Sequence, residues 1–260
     1  MRKIFGINSD CIDGQNELLT LELIKKAGFT RTFTSECNNE KIKAYKAKAD
    51  ELNIAIEFLH APFNNINAMW EEGDGYLNIY NGMIEAIHSA SANDIPAVII
   101  HTSSGWSPPK ISQIGLERYD NLLSCATKKG VVLVFENLRS FKHVSCFVER
   151  YKDSQSVRFC YDFGHSHCYT PNDDFISLFG DKTICTHIHD NHGYIAELDG
   201  DEHLLPFDGT VNYEEIVKAL DDAGYKGSLM LEVFNTSKED YKKLSAEEFI
   251  KKAYERIIRL

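Results

Sequence analysis

No stretch of the chain approaches the roughly 18 consecutive apolar residues that a membrane-spanning helix needs, so no transmembrane helix is expected. The opening MRKIFGINSD has Arg2 and Lys3, but its apolar run ends within a few residues at Asn8 and Asp10. That is too short for a secretory signal peptide, and a cytoplasmic protein is expected. A disulfide framework is also missing. The seven cysteines are odd in number and scattered, with no CxxC pair, and Cys160 and Cys185 fall in apolar strand-like runs as reduced core residues. Positive charge is scarce: Lys+Arg total 28 against 39 Asp+Glu, a formal net charge of −11. An acidic surface repels polyanions at long range, which argues against general nucleic-acid or membrane-surface binding. A small anionic substrate stays open, because bound cations reverse the local field. No GxGxxG turn follows the first strand pattern, and no linker, low-complexity segment or tandem repeat interrupts the chain.

What remains is a 260-residue chain, 43% hydrophobic and 26% charged, long enough to bury a sizeable core. Short β-branched or aromatic runs alternate with longer helical patterns. The predicted strands are Lys3–Asn8, Thr30–Ser35, Ile54–His60, Ala97–His101, Val131–Glu136, Val157–Asp162, Thr183–His189 and Ser228–Val233. The predicted helices are Glu17–Ala27, Asn39–Leu52, Gly75–Ala92, Ile111–Lys129, Phe141–Tyr151, the short Asp174–Phe179, Tyr213–Ala223 with Asn212 as N-cap, and Ala246–Ile258. Strands that are apolar throughout imply a parallel sheet covered on both faces. Eight strand–helix units imply an α/β fold, a (β/α)8 TIM barrel in a single domain over residues 1–260. An open doubly wound sheet is the alternative, and the missing glycine-rich turn counts against it.

The strand ends carry the chemistry. The third ends FLH at His60, the fourth IIH at His101, the fifth VFE at Glu136 and the sixth CYD at Asp162. The seventh runs into THIHD with His187 and His189, and the eighth ends MLEV around Glu232. In a barrel these ends converge on one mouth, where active sites of this architecture sit. Carboxylates gathered there without partners would repel one another and pay for desolvation. A divalent cation removes both costs, and mixed His and carboxylate donors suit Zn, Mn, Fe or Co. One such residue alone would be an ordinary core histidine or a helix cap; six successive strands ending this way point to a metal site. His165, in DFGH, and Asp201 and His203, in DEH within the Gly193–Gly209 loop, are further candidates.

In this ordered set, LHAPF, IIHT, VFEN, DFGH, HIHDN, DEHL and LEVF, the chain resembles the xylose-isomerase-like, or AP-endonuclease-family-2, TIM barrels. These include sugar-phosphate isomerases, sugar 3-epimerases and endonuclease IV. The resemblance implies a central metal shell of Glu136, Asp162, His187 and Glu232. His187 is preferred to His189 because Asp190-Asn191 follows it at the family's usual offset, which leaves His189 as a substrate-contact candidate. By the same resemblance Glu136 and Glu232 exchange protons with substrate, and His165 either bonds substrate, with a catalytic role, or holds a further metal. His60, His101, Glu136, Asp162, His165, His187, Asp201, His203 and Glu232 together match the ligands of the three-metal site of endonuclease IV, so one to three ions are expected. The family's Gly-x-Gly after the strand-seven loop is here Phe207-Asp208-Gly209.

Two activities follow as expectations. The first is a metal-dependent sugar or sugar-phosphate isomerase or epimerase, with Phe63, Trp70 and Trp106 placed to stack on a small carbohydrate or phosphorylated substrate. The second is a multi-metal phosphoesterase acting on a small phosphoester or abasic-site DNA. The acidic chain, and the short acidic loops Ser9–Asn16 and Glu36–Asn39 without arginine, disfavour DNA. A ligand-sensing barrel without activity is a third reading, disfavoured by the complete ligand set. The pattern leaves the oligomeric state open, a homo-oligomer included.

Overall fold

Residues 3–195 and 200–260 are described by a computed structural model; Met1, Arg2 and residues 196–199 of the Gly193–Gly209 loop lie outside them. Eight parallel strands run in the order β7-β6-β5-β4-β3-β2-β1-β8. They are β1 Phe5–Asn8, β2 Arg31–Thr34, β3 Ala55–His60, β4 Ala97–Ile100, β5 Val132–Glu136, β6 Val157–Asp162, β7 Thr183–His187 and β8 Leu229–Leu231. The ring closes just past β7, where the Ile188 N–H donates to the Met230 carbonyl (2.8 Å) and the Glu232 N–H to the Ile188 carbonyl (3.0 Å). The architecture is the (β/α)8 barrel that eight strand–helix units imply.

The helices outside it are α1 Glu17–Ala27, α2 Asn39–Glu51, α3 Leu77–Ala92, α4 Gln113–Lys129, α5 Phe141–Arg150, α6 Phe163–Cys168, α7 Phe175–Phe179, α8 Tyr213–Asp222, α9 Glu239–Lys242 and α10 Ala246–Ile257. Their ends follow local chemistry. Asn16 caps α1 by accepting from the Leu18 N–H, and Ser245 and Glu248 form a reciprocal capping box on α10. α6, α9 and the 3-10 turns Ile66–Trp70 and Gly180–Lys182 are too short to leave a periodic trace in the sequence. Strands seven and eight are shorter than expected, so His189 and Glu232 lie just beyond regular pairing.

Alternation along each strand sorts side chains into two layers. Phe33, Phe58, Ala97, Ile99, Val134, Cys160, Cys185 and Met230 pack inside the barrel. Val98, Ile100, Leu133, Phe135 and Phe159 face outward into a second layer with helix residues such as Leu21, Ile87, Leu122, Phe147 and Phe249. Both faces are dry, which explains the apolar strand runs. Gly6 leaves room for the Met230 thioether, which a Cβ there would push aside. The inward parity carries on to the strand ends: 58 leads to His60, 97 and 99 to His101, 134 to Glu136, 160 to Asp162, 185 to His187 and 230 to Glu232. The barrel's own period thus delivers all six groups to one mouth.

Candidate metal centre

The inner aromatic layer forms the floor. Phe33 stacks on Phe58 (4.7 Å between ring centroids) and on His187 (4.9 Å), so the His187 ring lies flat on an apolar base. Above it a cavity of about 220 Å³ opens to the strand ends, lined by His60, Phe63, His101, Ser103, Ser104, Glu136, Leu138, Arg139, His165, Tyr169, Asp201, His203 and Glu232. A larger groove of about 870 Å³ lies outside the barrel along α7 and α8, and none of the donor groups described below opens on it.

Three donor groups form among the described residues: Glu136 with Asp162, His187 and Glu232; Glu136 with His60 and His101; and His165 with His189, Asp201 and His203. Within each, the ligating atoms lie within 4.8 Å of one another. Glu136 joins the first two, with Oε1 2.9 Å from His187 Nδ1 and Oε2 3.0 Å from His101 Nε2 and 3.4 Å from His60 Nε2. Backbone carbonyls aim the imidazoles. Nδ1 of His60 donates to Ala61 O, that of His165 to Asn137 O and that of His203 to Glu232 O, each at 2.9 Å. This leaves the three Nε2 atoms turned toward the carboxylates, the second-sphere arrangement that orients metal-binding histidines.

Neighbouring charges set the protonation of the metal-free site. Burial pushes the Glu136 carboxyl up, but the His187 charge and hydrogen bonds from His101, His165 and His187 override it and hold it well below the usual range. Asp162 and Asp201 are likewise lowered against their burial, by His165 with His189 and by His203 with His165. Burial alone would lower His187 and His203. Glu232 and Glu136 instead raise His187 to about 10, and Asp201 raises His203 to about 10. His101 is lowered, because burial outweighs its bond to Glu136.

The residues fit a divalent ion. Asp162 Oδ2 and Nδ1 of the fully buried His189 have no hydrogen-bond partner among the described residues, while His189 Nε2 faces Asp162 Oδ1 at 3.2 Å and Asp201 Oδ1 at 3.3 Å. Buried polar atoms of this kind are rarely left so; an ion in the glutamate-rich group would take up a carboxylate oxygen of Asp162, and one among His165, Asp201 and His203 would take up a single ring nitrogen of His189. The donor set, imidazole nitrogen with carboxylate oxygen, suits Zn, Mn, Fe or Co.

A profile of the xylose isomerase-like TIM barrel family matches residues 21–257. The chain belongs to that family. An uncharacterized protein of Methanocaldococcus jannaschii, MJ1311, is 28% identical over 211 residues, covering 74% of this chain and 69% of that protein. Solved structures share the fold, two of them as follows. The IOLI protein with a bound zinc atom is 18% identical with a TM-score of 0.80, covering 99% of this chain and 97% of that one. D-psicose 3-epimerase with D-tagatose from Clostridium cellulolyticum H10 is 17% identical with a TM-score of 0.75 and the same coverage.

In this family member the nine candidate ligands converge. His189 joins them, fully buried beneath the cavity rather than lining it. The carbohydrate-stacking candidates separate. Phe63 lines the cavity and stacks on His101 at 4.4 Å. Trp70 does not line it: Trp70 is 3% exposed, donates to Thr102 O and packs on Tyr119, His143 and Phe147 behind the strands. Gly115 on α4 makes room for that ring, since a Cβ there would strike it. Trp106 does not line the cavity either; it lies edge-on to Tyr169, which does, and to Tyr194. Sequence reasoning passed over Arg139, whose guanidinium lies 3.8 Å over the Tyr169 ring and lines the cavity. The signal was its place three residues after Glu136. Asn137 was missed too. Its side chain donates to Asp162 O (2.8 Å) and accepts from the Asp162 N–H (2.7 Å), locking two ligand-bearing strand ends together. In HIHDN, Asp190 organises the loop by accepting from the Asn191, Phe207 and Val211 N–H groups, so Phe207-Asp208-Gly209 turns on a carboxylate.

Proposed function

We propose that this chain is a divalent-metal-dependent isomerase or epimerase of a small sugar or sugar phosphate. One observation carries the reading: Glu136 and Glu232, with Asp162 and His187, form one donor group, and both glutamates also line the cavity where substrate would sit. Glu136, Asp162, His187 and Glu232 would hold the ion, which polarises a carbonyl and the neighbouring hydroxyl when bound. The chain's own residues then move the proton. One glutamate takes it from the carbon beside the carbonyl, and the other, or His165, returns one, to the opposite face of that carbon in epimerisation or to the former carbonyl carbon in isomerisation. Phe63 covers a sugar face and helps exclude water. Arg139, the one Lys or Arg side chain lining the cavity among the described residues, would receive an anionic substituent. Family membership and the fold shared with a D-psicose 3-epimerase support this reading.

A second reading rests on the two additional donor groups. A phosphoesterase uses clustered cations to stabilise attacking and leaving oxygens. The net charge of −11 favours a small phosphoester over DNA. The deciding experiment incubates metal-loaded protein in deuterated water with ketoses and ketose phosphates, and in parallel with a p-nitrophenyl phosphodiester and abasic-site DNA. Deuterium appearing on the carbon beside the carbonyl supports isomerisation. Turnover of the phosphoesters alone replaces it with hydrolysis. His203→Ala sharpens the contrast, being mild for proton transfer at the Glu136–Glu232 group and severe for multi-metal hydrolysis.

A further inference from the structure

Part of the cavity wall carries polar groups that belong to none of the three donor groups: Ser103 and Ser104 after β4, Arg139 after β5 and Tyr169 after α6. Ser103 is 1% exposed, and its hydroxyl has no hydrogen-bond partner among the described residues. A buried hydroxyl is rarely left so. The backbone on either side of it is pinned, so Ser103 is no loosely placed loop residue. Trp70 Nε1–H donates to Thr102 O (2.8 Å), and the Asn67 side chain both donates to Ser104 O and accepts from the Ser104 N–H, each at 2.9 Å. Arg139 is held as firmly. Its guanidinium lies 3.8 Å over the Tyr169 ring and 5.7 Å from the Trp106 ring centroid, and it donates to the Tyr169 hydroxyl. A hydroxyl with nothing to bond and a planar cation rich in donors thus line one small cavity.

We propose that Ser103 and Arg139 form a subsite for the phosphate monoester of a small ketose phosphate, and that this phosphate is a handle that positions the substrate without reacting. A guanidinium matches phosphate oxygens two at a time, and the serine hydroxyl donates to a third. Neither residue belongs to a donor group, so a phosphate held here leaves the Glu136–Asp162–His187–Glu232 group to the carbonyl end of the molecule. The cavity, about 220 Å³, is smaller than the roughly 300–1,000 Å³ of sites for drug-sized ligands, which suits a substrate of a few carbons. Stacking on Tyr169 fixes the guanidinium before substrate arrives and so reduces the ordering cost of binding. Glu136, Asp201 and Glu232 also line the cavity and repel an anion; Arg139 at one end and cations at the donor groups offset them. Binding energy from a group that does not react can be spent in the transition state, so a substrate lacking the phosphate loses kcat as well as affinity. The inference rests on the isomerase or epimerase reading and narrows its substrate to a phosphorylated one.

The test compares a ketose phosphate with the same ketose unphosphorylated and with the matching sugar acid. Deuterium exchange is followed in metal-loaded wild type, Arg139→Met and Ser103→Ala. Wild type should favour the phosphate in kcat/KM by about 100-fold, the scale of a buried charged contact, with part of the difference in kcat. Arg139→Met should bring that ratio near one, and Ser103→Ala should lower it by about 10-fold. Wild type that turns over the free ketose or the sugar acid as well as the phosphate overturns the proposal, as does an Arg139→Met that slows all three equally. A second arm needs no turnover: inorganic phosphate is titrated calorimetrically into the metal-loaded full chain. It should bind wild type at least about 10-fold more tightly than either variant, and equal binding overturns the subsite. Exchange with none of the three compounds would sink the isomerase reading, and the phosphate titration would then decide the subsite alone.

Discussion

Glu136 meets four imidazoles, those of His60, His101, His165 and His187, at 2.9–3.4 Å. A carboxylate placed this way ties donor groups together and, with Glu232, faces the cavity. Glu136→Gln and Glu232→Gln keep the shape but remove the proton acceptor. Each should lower kcat by at least about 100-fold, the usual worth of a general acid or base, with an unchanged circular dichroism spectrum. Near-normal turnover in either would contradict the proton-transfer role. The raised histidines give a pH prediction for metal-free protein. His187 and His203, each about 10 when folded, lie above the ordinary imidazole value. Their stabilising contribution is therefore complete below about pH 6.5 and is lost as pH rises through about 10. A metal ligand must shed its proton, so metal uptake at pH 8 should release protons, measurable with an indicator dye. Uptake without release would show that these imidazoles were already neutral.

Strand parity is why so much of the site was legible as sequence. Each inward residue two before the strand end is apolar, and the next inward position is His, Asp or Glu, so one period predicts both the core and the ligands. The segment after β7 follows no such period. Its path depends on Asp190 accepting from the neighbouring Asn191 N–H and from the distant Phe207 and Val211 N–H groups, and on His203 adopting a left-handed backbone, neither of which leaves a pattern in the chain. Trp70 shows the opposite failure: a tryptophan in a loop past a ligand strand looks like a sugar platform, yet a 3-10 turn carries it into the helix layer. Asn137 offers the test at this scale. Asn137→Ala would leave the buried N–H and carbonyl of Asp162 without their partners. About 1–3 kcal/mol per abandoned group is the expected loss, read as a lower urea midpoint, together with weaker metal binding. A variant equally stable and equally tight for metal would show that the clamp contributes nothing.

For the molecule as a whole, two layers of apolar packing support one polar mouth, and the conflict among buried charges at that mouth is what a cation resolves. The same argument makes metal a stabilising ligand: an ion at a hundred times its Kd adds about 2.7 kcal/mol to folding. Chelation should therefore lower Tm, and zinc or manganese should restore it while magnesium, poorly matched to imidazole, should not. The most direct test of the central claim is elemental analysis of protein purified without added metal, before and after chelator, with turnover followed in the same samples. The account predicts at least one divalent ion per chain that survives extensive dialysis and leaves together with activity. Folded, active protein containing no divalent ion would contradict it.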